Sequence, residues 1–176
     1  MVLRATAFSL LALPLLADGP HFGIQGQAVK PTTGSLRAQV DDKTGTSVGL
    51  HVDWNPDGGH VLRFRLDDLK FPERTGAAPA QKLQLEGRGG GVDYLWYWRD
   101  RPEGGYLALG AALTEWRFKD STLPKPDKKQ LLNGSVGVGT QFSRFMGVEL
   151  RYTLSNLDTE TRFRPNFFSA QVLLHF

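Results

Sequence analysis

The sequence contains no cysteine. That excludes a disulfide framework, a thiolate metal site and a cysteine nucleophile, and leaves stability to packing and hydrogen bonding. Long apolar runs are also scarce. Past the first sixteen residues no stretch approaches the ~20 residues a membrane-spanning helix needs. Helical periodicity is nearly absent from the remainder. Charge of one sign is not in excess: the formal net charge is +3, too small to signal a nucleic-acid partner. What the sequence has instead is glycine, 20 residues of it, with 10 prolines, which suits a chain of many turns. Hydrophobic residues at 40% against 22% charged exclude a disordered chain. The slightly negative mean hydropathy argues against a helical membrane protein but not against a membrane barrel, whose strands are only half apolar.

The first segment, "MVLRATAFSLLALPLLADG", has one positive charge at Arg4, an apolar core from Ala5 to Leu16, and Ala17 before Asp18. This is the make-up of a signal peptide over residues 1–17, with export of a single domain over 18–176. Leu15 at the minus-three position leaves the cleavage point defined only to within a few residues. Cleavage after Ala17 would remove Arg4, the one charged residue of the segment, and lower the net charge from +3 to +2.

The rest of the chain alternates. "TSVGLHVDW" sets Val48, Leu50, Val52 and Trp54 against Ser47, Gly49, His51 and Asp53. "GHVLRFRLDD" sets Leu62, Phe64 and Leu66 against Arg63, Arg65 and Asp67, and "MGVELRYTL" sets Val148, Leu150 and Tyr152 against Glu149 and Arg151. Such period-two patterns are half-buried strands. With "HFGIQGQAV", "GVDYLWYW", "YLALGAALTEWRF", "NGSVGVGTQF" and the terminal "SAQVLLHF" they predict eight strands. Two strands carry an inconsistent parity. Leu107, Leu109 and Leu113 oppose Trp116 and Phe118, which a bulge near Ala111 would reconcile. Between Leu83 and Val92 the apolar parity changes at "RGGG", where glycine permits a bend.

The connections are short after the second, fourth and sixth strands ("NPDGG", "RDRPEGG", "SRF"). They are long after the first, third, fifth and seventh, and the first long one includes "SLRAQVDD", read here as an extension of its flanking strands. Short turns at one end and long loops at the other are the arrangement of outer-membrane barrels.

The polar face then has to be inside. Arginines facing lipid would cost ~2–4 kcal/mol each near the midplane. An eight-stranded barrel is filled by side chains, so His51, Asp53, Arg63, Arg65, Asp67, Glu86, Arg88, Glu149 and Arg151 are expected to form an interior polar network. Aromatics at strand ends, Phe22, Trp54, Trp98, Tyr106 and Phe142 on the short-turn side and Trp116, Phe118 and Phe168 on the long-loop side, are expected to form two interfacial belts. The terminal strand puts Ala170, Val172, Leu174 and Phe176 on one parity and stops there. This resembles the C-terminal signature of bacterial outer-membrane proteins, which the assembly machinery reads. The whole of residues 18–176 looks like the small eight-stranded barrels of the OmpX, OmpW and OmpA transmembrane-domain type. The resemblance implies an all-β, antiparallel up-and-down transmembrane barrel in the outer membrane of a Gram-negative cell. It also implies contact with outer-membrane lipid and lipopolysaccharide, and structural or interaction roles for the loops.

Chemistry is sparse. His51 and Asp53 share the inward face, an arrangement that can orient a general base but here has no spaced nucleophile beside it. "RYTLSN" at 151–156 resembles the catalytic strand of outer-membrane lipid A deacylases, His-x-Ser-Asn. Ser155 and Asn156 match, but Thr153 stands at the histidine position, so no base activates Ser155 and no enzyme is expected. No metal-ligand spacing and no phosphate loop occur, and no cofactor or nucleic-acid partner is implied. The "KDSTLPKPDKK" loop, with four lysines against two aspartates, is chemistry suited to a polyanion. Two alternatives stand beside the membrane reading: a soluble periplasmic lipocalin-like barrel that binds a small apolar ligand, and a lipid A-modifying barrel enzyme.

Overall fold

The computed structural model describes residues 19–76, 81–99, 101–155 and 163–176. The segment read as a signal peptide, residues 1–17, lies outside them, as does Asn156 of the deacylase-like motif. Among the described residues no helix is long and apolar enough to cross a membrane.

The strands are β1 (His21–Pro31), β2 (Gly45–Asp57), β3 (His60–Lys70), the two-residue β4 (Arg74–Thr75), β5 (Lys82–Tyr97), β6 (Gly104–Asp120), β7 (Asp127–Ser143), β8 (Met146–Ser155) and β9 (Phe167–His175), with one short helix, α1 (Gly34–Val40). Neighbours run in the order β3-β2-β1-β9-β8-β7-β6-β5, all antiparallel, and β3 pairs with β5. Eight long strands therefore close on themselves, and β4 is an extra pair on the end of β5. Closure leaves the long strands no free edge, the condition for crossing lipid.

The apolar parity points out. Val48, Leu50, Leu66 and Leu150 are each 60–67% exposed, and the bands continue through Leu109, Val138 and Val172. An uninterrupted apolar surface of this kind does not suit water. A lipocalin-like barrel would have the reverse polarity, so that alternative does not describe this fold.

Within the wall the lumen is layered. At the long-loop end Val29, Leu36, Val40, Phe71, Leu85 and Trp116 pack with Leu69, Leu131 and Phe163 into an apolar cap. The middle is ionic. At the short-turn end Val61, Leu95, Tyr97, Tyr106 and Ala108 form a second apolar cluster.

The cap corrects four expectations. First, "SLRAQVDD" does not extend strands. Residues 34–40 form α1, whose Leu36 and Val40, one turn apart, face the cap. The helix ends on Asp41 in the left-handed conformation (φ 56°), whose N–H bonds to Arg37 O. Hydroxyls of Thr33 and Ser35 donate to Arg164 O, tying the helix to the last long connection. Second, no bulge is present near Ala111, and third, none at residues 88–91. The β5–β6 register runs unbroken from Leu83↔Asp120 to Tyr97↔Tyr106, and β6–β7 is equally regular. The parity never changed; the surroundings did. Beyond the bilayer the outside of the wall is wet and the inside is apolar, so Leu85 and Trp116 turn inward without leaving register. Fourth, Trp116, fully buried, and Phe118 belong to the cap, and Tyr106 is buried in the lumen, so these three are not belt residues. Phe22, Trp54, Trp98, Phe142 and Phe168 do face outward, as do Ala170, Val172, Leu174 and Phe176.

Candidate functional site

The distinctive chemistry is the ionic layer. Strand alternation on β2, β3, β5 and β8 sends Asp53, Arg63, Arg65, Asp67, Asp93, Glu149 and Arg151 to the lumen. Register then pairs them: Asp53 lies opposite Arg63, and Arg63 opposite Asp93. Arg63 grips Asp53 with two parallel bonds, Nε to Oδ1 and Nη2 to Oδ2, both 2.7 Å. Arg151 grips Asp93 likewise at 2.8 and 2.7 Å. Glu149 joins the two, accepting from Arg151 Nε at 2.6 Å and Arg63 Nη1 at 3.5 Å. Arg65 donates to Asp93 at 3.0 Å and to Asp67, and Asp67 accepts from Gln25 Nε2 at 2.5 Å. Tyr106 donates its hydroxyl to Glu149 at 2.9 Å.

This lattice crosses the lumen from β2 and β3 to β5 and β8. Both forks are bidentate Arg–carboxylate pairs, the strongest side-chain hydrogen bonds available. Asp53, Arg63, Asp93, Glu149 and Arg151 are buried, and the layer tolerates those charges only because each meets a counter-charge. Glycine makes room where the side chains are long. A Cβ on Gly110 would stand 2.0 Å from Asp93 Oδ1 and 2.6 Å from Ser135 Oγ. Between this lattice and the cap is a cavity of about 40 Å3, room for very few waters and not a diffusion channel.

Two predicted members of the network are elsewhere. Arg88 faces outward, half exposed, and pairs with Asp68 at 3.1 Å. Glu86 shares that outer parity although it is buried, and accepts from Lys119 Nζ at 2.5 Å. Both stand on the part of β5 that continues past the apolar band, alongside Arg117, Glu115 and Lys128, where charges meet water. His51 is inward as expected, but Asp53 bonds to Arg63 and not to it. His51 instead meets the ring of His175, centroids 4.8 Å apart.

Sequence reasoning gave no part to His175 or Gln25 and assigned Tyr106 to the aromatic belt. Each lies on the inward parity of its strand, and that parity was the available signal. Ser155 is buried, and its hydroxyl donates to Pro165 O at 2.8 Å. Thr153 is buried beside it on the same parity.

No protein-family model and no curated protein sequence matches the chain. Solved structures do. Neisserial surface protein A superposes with a TM-score of 0.59 at 19% identity, covering 90% of this chain and 99% of that one. Ail, the attachment invasion locus protein of Yersinia pestis, gives 0.56 at 12% identity over 89% and 97%. The N-terminal β-barrel domain of Pseudomonas aeruginosa OprF gives 0.52 at 9% identity over 88% and 97%. The fold is that of the small eight-stranded outer-membrane β-barrels.

Proposed function

We propose that the chain is an integral outer-membrane barrel, exported by residues 1–17, whose plugged interior is scaffold and whose work is done by the surfaces it holds outside the bilayer. The observation that carries this is the polarity of the wall: apolar side chains around the outside at mid-strand, paired ions within. Among the described residues the lumen is filled and capped, which argues against a wide diffusion pore. The outer face of β5–β6–β7 beyond the apolar band carries Arg88, Arg117, Lys119 and Lys128, and the 121–126 connection adds Lys125. These cations suit the phosphates of lipopolysaccharide packed around the barrel. Phe22, Trp54, Trp98 and Phe142 on one side and Phe168 on the other serve as interfacial anchors. Ala170, Val172, Leu174 and Phe176 serve as the assembly signal.

Cell fractionation with gel electrophoresis tests the reading. The chain is expected in the detergent-extracted outer membrane, with an unheated band that migrates differently from the boiled one. Release by osmotic shock as a soluble protein would overturn it. Charge reversal of Lys125 and Lys128 is expected to weaken lipopolysaccharide binding and flatten its salt dependence.

A further inference from the structure

On the short-turn side of the ionic lattice, β2, β1 and β9 bring His51, Gly23 and His175 into one cross-strand row, Gly23 pairing with both histidines. Because the middle residue is glycine, the two rings lean together over it. A Cβ there would stand 2.3 Å from His51 Nε2. Asp53 completes the group: one ligand atom from each of His51, Asp53 and His175 lies within 4.8 Å of the others. His51 is 2% exposed and His175 5%, yet none of their four ring nitrogens has a hydrogen-bond partner. His175 Nε2 stands 3.4 Å from Asp53 Oδ2, close but not aligned as a hydrogen bond. Buried polar atoms left bare are costly and call for an occupant.

We propose that His51, His175 and Asp53 bind a divalent transition-metal ion of the zinc class. Two imidazole nitrogens and one carboxylate oxygen are the ligand set such ions favour. Bonds of ~2.0–2.1 Å at tetrahedral angles put ligand atoms about 3.3 Å apart, close to the observed His175–Asp53 separation. Charge supports it. Among the described residues the lumen lattice sets four carboxylates, Asp53, Asp67, Asp93 and Glu149, against three guanidiniums, Arg63, Arg65 and Arg151. One negative charge is left for a cation. Arg63, bonded to Asp53, holds that carboxylate in place as the outer-shell partner and leaves it lone pairs for a metal. Access is present. Asp53 and His175 line a cavity of about 130 Å3 at the short-turn end, whose rim carries the exposed His21, Glu103 and Arg144. The bound ion ties β2 to β9 across β1, stapling the seam where first and last strands meet.

The test is titration of the full chain, folded in detergent, with Zn2+ by calorimetry and with Co2+ by visible absorption. One ion per chain is expected, with a dissociation constant of about 1 μM or lower, tetrahedral Co2+ bands and a Zn2+-dependent rise in the unfolding temperature. His51→Ala and His175→Ala should each weaken binding by at least ~100-fold, beyond the loss typical of an outer-shell change. His60→Ala, on a histidine that faces Tyr94, should bind as the parent does. The heat-shifted gel band reports separately whether each variant folds and whether the barrel reading stands. No saturable binding by the folded parent, or equal binding by folded His51→Ala, would overturn the proposal.

Discussion

Replacing Asp93 with asparagine would show how far the lumen depends on charge balance. Asp93 is fully buried and holds Arg151 through two bonds and Arg65 through a third. Asparagine keeps the size and one acceptor but takes a counter-charge from both Arg151 and Arg65 in a dry interior. Removing one partner of a buried pair costs ~3–5 kcal/mol, a large share of a stability that is typically ~5–15 kcal/mol in all. Arg65 keeps Asp67 and Arg151 keeps Glu149, which places the expected loss near the lower figure, about 3 kcal/mol. Arg151→Met should cost a comparable amount, because Asp93 loses its bidentate partner and keeps only Arg65. The double variant removes both partners of the fork and returns the lattice to the parent's charge balance, so the two losses should fall short of their sum by about 2 kcal/mol. Urea unfolding in phospholipid vesicles, followed by tryptophan fluorescence, measures all four corners of the cycle. A single-variant loss below ~1 kcal/mol, or strict additivity, would refute the account of the lattice as mutually compensating ions.

Leu50→Arg, at the middle of β2 on the outer face, should destabilise the barrel in bilayers by ~2–4 kcal/mol. Leu123→Arg, equally exposed but in a connection, should be near neutral; similar losses in the same unfolding assay would contradict a lipid-facing β2. Trp116→Ala empties the centre of the cap and should cost ~3–5 kcal/mol, whereas Trp98→Ala on the outer face should be much milder, as read by thermal denaturation. Asp120, at the outer end of β6, accepts bonds from the Thr122 N–H and hydroxyl, which lower its pKa below the ordinary carboxylate value. Its ionised form is the stabilised one, so this local contribution is present at neutral pH and fades as pH falls through the lowered value. An NMR titration of the Asp120 carboxyl carbon should give a midpoint below that of an ordinary aspartate, moving up toward it in Thr122→Ala.

Much of this was legible from alternation. Leu50, Leu66 and Leu150 face out and Asp53, Arg63 and Arg151 face in because a two-residue period leaves no third choice. What stayed hidden depends on where lipid ends. Leu85 and Trp116 seemed to break parity because the sequence does not mark the height at which the outside becomes water. Helix α1 hid for another reason. Seven residues are too few for a periodic signal, and only Leu36 and Val40, four apart, hinted at it. The convergence of His51 and His175 was illegible because it depends on both pairing with the same glycine. The register of Gly23 with His175 relates residues over a hundred positions apart, and no local pattern encodes it.

The strands differ in height, and the difference gives the molecule a front and a back. β5, β6 and β7 run 16 or 17 residues, against 9 and 10 for β9 and β8, while a bilayer needs only ~9–11. One side of the cylinder therefore stands above the lipid like a parapet, clad in salt-bridged side chains, while β8 and β9, which follow β7 around the wall, end lower. A molecule drifting in the membrane plane meets that parapet from the flank, and one descending from above meets its crest before the lower strand ends. Two different approaches lead to two different surfaces on a chain of 176 residues.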